Sequence, residues 1–260
     1  TDAYKKTTSK SRVQLNDVPG LISLMSTASS SDAKLSVPLS TIQANDYQLQ
    51  PSRYIADPKS RQVSEILDAS KIVTLGELVT TIRPTSVPKE ETQTELLAGE
   101  VGAADLPQYG YITSCGRQVP AEGKSKAEFL LPNDILVVVK GSVGKVGIVP
   151  ENAPPPGAGG WIAGQSLLIL RASSQMIDPR ALYMYLRSPI GQQLLNGITS
   201  GATIPLIMLK ELRQLKVIVP SGATSKQAID ALAAESNAQD KIKQIQTEQA
   251  QFANGLWALD

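Results

Sequence analysis

The stretch from Ser225 to Asp260 is the part of the sequence that most restricts how the chain can fold. It contains no proline and one glycine, Gly255, although the whole chain has 17 prolines and 19 glycines. Because both residue types interrupt helices, their scarcity predicts one continuous helix. A helix of about 35 residues is about 52 Å long at 1.5 Å per residue. It cannot pack along its whole length on a domain of this size, so we expect it to project and to contact a partner helix.

The apolar residues of this predicted helix follow the spacing of a coiled coil. They recur at alternating steps of three and four residues, which places them on one face. The step from Gln239 to Ile242 is one residue short, so the phase of the pattern slips there. Polar residues at Ser236, Gln239 and Gln249 weaken the pattern. The side chains that we predict to form a dimer through this helix are Ile229, Leu232, Ile242, Ile245, Phe252, Leu256 and Leu259.

The middle of the chain predicts β-strands. Residues 133–150, NDILVVVKGSVGKVGIVP, contain two apolar runs on either side of a glycine turn at residues 141–144, which is typical of a hairpin. Residues 135–139 are continuously apolar, so we expect that strand to be buried on both faces. Residues 109–116, YGYITSCG, predict a further strand.

Short helices are predicted on either side of these strands. Upstream, the periodicity of residues 61–84 predicts a helix that ends in the segment 75–82. Downstream, Asp178 and Ser188 each precede a proline, the arrangement of a helix N-cap followed by the first helical residue. The second of these helices is predicted to end at Asn196-Gly197, a common helix stop signal.

The uncharged segment TSGATIPLIML, residues 199–209, leads from these helices to the last strand. Gly201 permits a turn, and Pro205 restricts Ile204 to an extended conformation. The side chains that we expect to anchor the segment from beneath are Ile204, Leu206 and Leu209. Together the patterns predict an α/β (α+β) fold, in which a twisted mixed β-sheet domain with flanking short helices is followed by one long projecting coiled-coil-type helix.

Composition excludes several kinds of site. The chain has no histidine, which rules out a histidine base or ligand, and its one cysteine, Cys115, cannot build a disulfide or a zinc site alone. The segment GSVGKVG fails the phosphate-loop pattern, because Val146 follows the lysine. NAPPP, residues 152–156, lacks the aromatic residue of the N-P-P-aromatic box of amino-methyltransferases. We therefore expect no catalytic residues and no metal in this chain, and the sparse cysteine usage favours a cytoplasmic setting.

The run from Asn133 to Pro220 resembles the target recognition domain of type I restriction-modification specificity (S) subunits. The resemblance lies in the order of the pieces: a DIL strand, a G-x-x-G-K turn, a strand with GQ ahead of it, P-x-x-L-Y-x-Y-L, G-A-T-I-P, L-K-x-L and a closing strand ending in proline. In that family a long spacer helix follows, and the domain reads a short DNA half-site without catalysing a reaction. The resemblance implies sequence-specific binding of double-stranded DNA.

The segment STIQANDYQLQPSRYI is similar to the tail of the adenine methyltransferase (M) subunit of such systems. The resemblance implies a fused or associated methyltransferase as partner, with S-adenosylmethionine as the cofactor of that partner and none in this chain. Since the chain starts without methionine, we expect it to be a piece of a larger protein. We predict a tail-like segment and linker over 1–56, a recognition domain over 57–221 and a spacer helix over 222–260.

Basic residues gather in the predicted recognition domain, although the net charge is only +1. Such residues would contact phosphates, and hydroxyl groups could bond base edges. The residues that we predict to bind DNA are Arg117, Lys140, Lys145, Arg187, Ser200, Thr203, Lys210 and Arg213. A different role stays open, that of an oligomerisation or adaptor module whose helix binds a protein and whose globular part touches no DNA.

Overall fold

The computed structural model of the chain covers most of residues 70–256 and several short segments before them. The residues that it describes are 4–6, 13–15, 37–44, 47, 62–63, 65–67, 70–85, 96–173, 175–201 and 203–256. The chain divides into two compact units, Thr1–Pro58 and Lys59–Asp260. The domain boundaries at residues 56 and 221 stay predictions.

In the first unit, strand β1 (Tyr4–Lys6) pairs antiparallel with β2 (Val13–Leu15), and helix α1 spans Leu39–Ala44. The core of the methyltransferase-like motif, residues 45–54, lies outside the described residues apart from Tyr47. The resemblance of this segment to a methyltransferase tail therefore remains a prediction.

The second unit alternates short strands and short helices before one long helix. Its elements in chain order are β3 (Ile72–Thr74), α2 (Leu75–Leu78), β4 (Val79–Ile82), β5 (Leu97–Val101), β6 (Arg117–Pro120), β7 (Ile135–Val138), β8 (Val146–Ile148), β9 (Trp161–Ala163), β10 (Leu167–Ala172), α3 (Pro179–Arg187), α4 (Pro189–Gly197), β11 (Thr199–Ser200), β12 (Leu206–Ile207), α5 (Leu209–Arg213), β13 (Lys216–Ile218) and α6 (Gly222–Leu256).

A four-stranded antiparallel sheet in the order β4-β10-β7-β8 forms the centre of this unit. The side chains of β7 alternate between two cores, as successive residues of a strand must. Ile135 and Val137 pack with the helices α3 and α6, whereas Leu136 and Val138 pack with residues of a second sheet. All four are completely buried. The prediction that this strand is covered on both faces is confirmed, and so is the hairpin that β7 forms with β8.

The second sheet has the order β6-β5-β9 and supplies the covering layer on one side. Strand β5 pairs antiparallel with β6 and parallel with β9, so this sheet is mixed. All other strand pairs in the described residues are antiparallel. The predicted α/β class is therefore confirmed, with the parallel pairing outside the central sheet.

The expectation for residues 75–82 is wrong in part. Only Leu75–Leu78 form a helix, and Val79–Ile82 form strand β4, paired with β10. All four residues of the sequence VTTI are β-branched, which favours a pleated strand over a helix. Ile72–Thr74 form strand β3 instead of helix and pair with β13. The segment 109–116 is likewise not a strand. Side chains of α6 accept the hydrogen bonds of the N–H groups of Gly110 and Tyr111 in place of a neighbouring strand.

The predicted caps of the two central helices are confirmed. The Asp178 carboxylate accepts a hydrogen bond from the backbone N–H of Arg180 at 2.8 Å, and Ser188 Oγ accepts one from the N–H of Gly191 at 3.2 Å. Each cap is followed by proline at the first helical position, and α4 ends at Gly197 as expected. These two helices cover one face of the central sheet with side chains that include Leu182 and Leu186 of α3 and Leu195 of α4.

The long helix α6 has 35 residues, as the scarcity of proline and glycine predicts. Its first half packs on the same core, where Leu232 is completely buried. Every residue from Asp240 to Phe252 is exposed. The side chain of Leu256 and the whole of Leu259 lie outside the described residues. Among the helices of the described ranges, none is both long and apolar enough to cross a membrane.

Candidate nucleic-acid interface

The turn between β7 and β8 and the segment Thr199–Ile207 lie together at one end of the central sheet. Gly141 and Gly144 have φ of +86° and +84°, a conformation that glycine adopts without strain. The N–H of Gly141 donates to the carbonyl of Pro205 at 3.0 Å, and Lys140 forms a β-bridge with Leu206. We call residues 140–145 and 199–207 the hairpin–loop edge.

The loop half of this edge is a tight β-ribbon. Strand β11 pairs with β12, and Gly201 between them has φ of +95°. A Cβ atom at residue 201 would lie 2.3 Å from the carbonyl oxygen of Ile204, so only glycine fits. Ser200 Oγ donates to the carbonyl of Leu206 at 3.1 Å, and Thr203 is exposed.

The expected anchors of this loop are only partly correct. Ile204 and Leu206 are 55% and 40% exposed, so neither holds the loop from beneath. Because side chains alternate across a strand, the outward Leu206 places its neighbour Ile207 inside, where it is 2% exposed. Leu209 is partly buried against the core, as expected.

Two of the predicted DNA-binding cations lie in a cleft next to the hairpin–loop edge. Lys145 Nζ donates to the carbonyl of Ala103 at 3.0 Å. Arg187 lines the same cleft, together with Tyr109 and Gln192. Gln192 Nε2 donates to the carbonyl of Gly144 at 2.9 Å, which joins the cleft to the hairpin turn.

Arg187 has a structural partner that its position in the sequence does not reveal. Both terminal nitrogens of its guanidinium donate to the carboxylate of Glu235 on α6, one of them at 2.7 Å. Its charge also lies 5.2 Å from the ring centres of Tyr109 and Tyr183. This pair attaches the long helix to α3 and gives Arg187 a role in the fold, while its predicted contact with DNA stays a prediction.

The pKa values of this pair fit that role. Burial opposes the charge of Arg187, but the hydrogen bonds with Glu235 and Tyr183 outweigh it, so the pKa of the guanidinium is raised. Burial also raises the pKa of Glu235, yet the hydrogen bonds from Arg187 and from the N–H of Gly110 leave it below its ordinary value. Both groups are therefore charged at neutral pH.

The other predicted cations lie in separate places. Lys210 is exposed on α5, whereas Arg213 on the same helix donates to Thr81 Oγ1 at 2.9 and 2.7 Å. Arg117 lies on β6 of the second sheet, paired with Glu100 at 3.0 Å. The structure thus brings together Lys140, Ser200 and Thr203 with Lys145 beside them, and it does not bring Arg117 to that edge.

Residues that the sequence did not single out complete the cleft. Tyr109 is 55% exposed, and Gln108 Nε2 donates to its hydroxyl at 3.2 Å. The sequence around Tyr109 predicts a strand, and nothing in its neighbourhood along the chain indicates a cleft. Within the part of the chain that the structure describes, no group of three or more His, Cys, Asp or Glu residues could hold a metal ion.

Solved structures similar to this chain include three from type I restriction-modification systems, while no family model and no curated protein matches it. The type I restriction-modification S subunit from M. genitalium shares 19% identity over 73% of this chain, with a TM-score of 0.52. An HsdS subunit from Thermoanaerobacter tengcongensis shares 15% over 80%, with a TM-score of 0.46. A structure from work on complex assembly and conformational transition of the type I R-M system shares 17% over 84%, with a TM-score of 0.45.

This chain spans about half the length of each of these proteins: 46%, 52% and 54% in the same order. The similarity to the M. genitalium protein, which has a TM-score above 0.5, carries the assignment of the fold. The chain has the fold of a type I restriction-modification S subunit.

Proposed function

We propose that this chain binds double-stranded DNA sequence-specifically, recognises a half-site and directs a fused or associated adenine-specific DNA methyltransferase. The role is one of recognition without catalysis in this chain. It belongs to a cytoplasmic restriction-modification system, with S-adenosylmethionine bound by the methyltransferase. The resemblance of the ordered motifs between Asn133 and Pro220 and the S-subunit fold both support this proposal.

The hairpin–loop edge is the observation that carries the proposal. It presents Lys140, Ser200 and Thr203 from two segments that backbone hydrogen bonds hold against each other. Lys140 has no carboxylate within ion-pair distance among the described residues. A lysine of this kind can bind phosphate, and the Thr203 hydroxyl can bond a phosphate or a base edge. The Ser200 hydroxyl donates to the carbonyl of Leu206, so its oxygen is left to accept from a base edge. A rigid edge keeps these groups in register with the duplex.

The exposed half of α6 supports a further part of the proposal, a homodimer. Ile242, Ile245 and Phe252 are 55%, 54% and 75% exposed and follow coiled-coil spacing. An antiparallel pair of such helices would place two recognition domains at its ends, and helix length would set the distance between half-sites. The same exposed residues also favour the second candidate function, an oligomerisation or adaptor module without DNA contact.

A titration across salt concentration separates the two functions. A fluorescein-labelled duplex pool with a randomised centre is incubated with the chain, bound duplexes are amplified, and their affinity is measured by anisotropy. DNA binding predicts enrichment of one sequence and a log affinity that falls linearly with log salt, by about 0.9 per phosphate contacted. An adaptor predicts no anisotropy change at any salt concentration, and that result would overturn the proposal.

A further inference from the structure

The loop Leu106–Tyr111, here called the Tyr109 loop, is held by three different elements. From the hairpin side, Lys145 bonds the carbonyl of Ala103 just before the loop. From α3, the buried hydroxyl of Tyr183 donates to the carbonyl of Gly110 at 3.0 Å. The third element is α6, and its contacts are the most numerous.

Two polar side chains of α6 bond four backbone groups of this loop. The carboxylate of Glu235 accepts from the N–H of Gly110 at 3.0 Å. Gln239 Oε1 accepts from the N–H of Tyr111 at 3.0 Å, and its Nε2 donates to the carbonyls of Tyr109 at 2.7 Å and Tyr111 at 3.2 Å. The loop cannot keep this conformation without α6, because these backbone groups would lose their partners.

The fit between Gln239 and the loop is close. Gly110 has φ of +73°, and a Cβ atom there would lie 2.0 Å from Gln239 Oε1. Any other residue at position 110 would therefore displace Gln239. Gln239 is also the residue that precedes the phase slip in the apolar pattern of α6, so it marks the last turn of the helix that contacts the rest of the unit.

The loop presents Tyr109 to solvent in the cleft next to the hairpin–loop edge. The cleft combines an aromatic ring, the ammonium group of Lys145 and the amides of Gln108 and Gln192. These groups suit a DNA duplex: the ring can pack on a deoxyribose or a thymine methyl group, the ammonium can bind a phosphate, and the Gln108 amide can bond a base edge. Both N–H groups of Gln192 donate to the carbonyls of Gly144 and Leu186, so its Oε1 is left to accept from a base edge. The charge of Arg187 is already compensated by Glu235.

We propose that Tyr109 is a DNA-contacting residue and that Glu235 and Gln239 of α6 are positioning residues for it. This inference rests on the proposed function and deepens it. The long helix then does more than separate two recognition domains, since its position also sets the geometry of one DNA contact. A displacement of α6 would alter sequence selectivity through the Tyr109 loop.

The test compares variants of the full chain on the duplex selected by the wild type and on a scrambled duplex of the same length. Tyr109→Ala is expected to weaken binding of the selected duplex about 10-fold, the size of one specific base contact, with a smaller effect on the scrambled duplex. The matched control is Tyr47→Ala, which removes another exposed tyrosine, 63% exposed in the first unit. It is expected to leave the affinity unchanged.

A double-mutant cycle tests the positioning role. Gln239→Ala keeps a good helix former in α6 and is expected to weaken selective binding several-fold, but to add nothing in the Tyr109→Ala background. Gln239→Met, which keeps the length of the side chain without its hydrogen bonds, is the second variant, and thermal unfolding confirms that each variant is folded. Full additivity of the Gln239 and Tyr109 effects would overturn the positioning role.

The outcomes separate this inference from the function on which it rests. A wild-type chain that enriches no duplex overturns both. A wild-type chain that enriches a duplex, together with Tyr109→Ala of unchanged affinity and selectivity, overturns this inference alone.

Discussion

The two halves of α6 belong to one continuous helix but have different surroundings. In residues 222–239, Leu232 is completely buried and Glu235 and Gln239 bond the Tyr109 loop. In residues 240–252 every side chain is exposed, including Ile242 and Phe252. The slip in the apolar pattern falls between these halves. Because one residue corresponds to about 100° around a helix, the slip turns the apolar face of the second half by that angle relative to the first.

This difference shows that one helix carries two faces with two kinds of contact. The first face belongs to the fold of its own chain, and Leu232 has to be removed from the side chains predicted to meet a partner helix. The second face is available to another chain. An apolar repeat in a sequence therefore indicates a contact, but the phase of the repeat decides which contact it is.

Truncation of one apolar side chain in each half of α6 gives the largest expected difference in the free energy of unfolding. Leu232→Ala should lower the free energy of unfolding by about 2–5 kcal/mol, because it leaves a cavity in the core. The matched variant Ile242→Ala, at a side chain that is 55% exposed, should change it by less than about 0.5 kcal/mol. Urea unfolding followed by circular dichroism at low protein concentration measures both. Equal effects would contradict the division of the helix.

Removal of the α3 cation that pairs with the first half, compared with removal of a cation of the second half, gives the next largest difference in unfolding free energy. Arg187→Met leaves the carboxylate of Glu235 mostly buried without its partner, which should cost about 2–3 kcal/mol of unfolding free energy. Lys243→Met, at an exposed lysine of the second half, should have no measurable effect. Thermal unfolding of the two variants compares them directly, and an unaffected Arg187→Met protein would show that the pair does not attach α6.

A charge on the exposed face should change association without changing the fold. We expect Ile245→Lys to weaken self-association at least about 10-fold, about 1.4 kcal/mol, since a coiled-coil seam excludes an unpaired charge. Sedimentation velocity over a concentration series measures the dimer constant, with Gln246→Lys as control at a neighbouring exposed position. A wild-type chain that stays monomeric throughout would remove the second face as a dimer contact.

Acid should affect the packed half selectively, and this is the smallest expected effect. The pKa of Glu235 is lowered in the folded chain, so its contribution to stability is present at neutral pH and is lost as the pH falls below about 4.5. Glu235→Gln removes this titrating group, so the unfolding midpoint of the variant should fall less steeply than that of the wild type as the pH is lowered. Glu248→Gln, in the exposed half, should leave the wild-type profile. Identical profiles for all three proteins would argue against the contribution of Glu235.

Local signals in the sequence predicted much of this fold. The apolar run in β7, the caps at Asp178 and Ser188, and the uninterrupted α6 each depend on neighbouring residues, and each is present as predicted. The helix expected at 75–82 fails at Val79, where pairing with β10 and β-branched side chains outweigh a short apolar periodicity.

The candidate site was less predictable, because its contacts join distant parts of the chain. Arg187 and Glu235 are 48 residues apart, and Tyr109 lies 130 residues before Gln239. Neither pair leaves a local pattern. Charge alone therefore predicts the same role for Arg187 and Lys140, although Arg187 forms an ion pair with Glu235 and Lys140 is exposed.

The central claim is that the hairpin–loop edge binds DNA, and affinity measurements on this edge test it most directly. Lys140→Ala and Thr203→Ala are titrated against the selected duplex over a range of salt, with the exposed Lys243→Ala as control. Our account predicts weaker binding for both edge variants, a salt slope shallower by about 1 for Lys140→Ala alone, and no change for the control. Unchanged affinity and slope in both edge variants would contradict it.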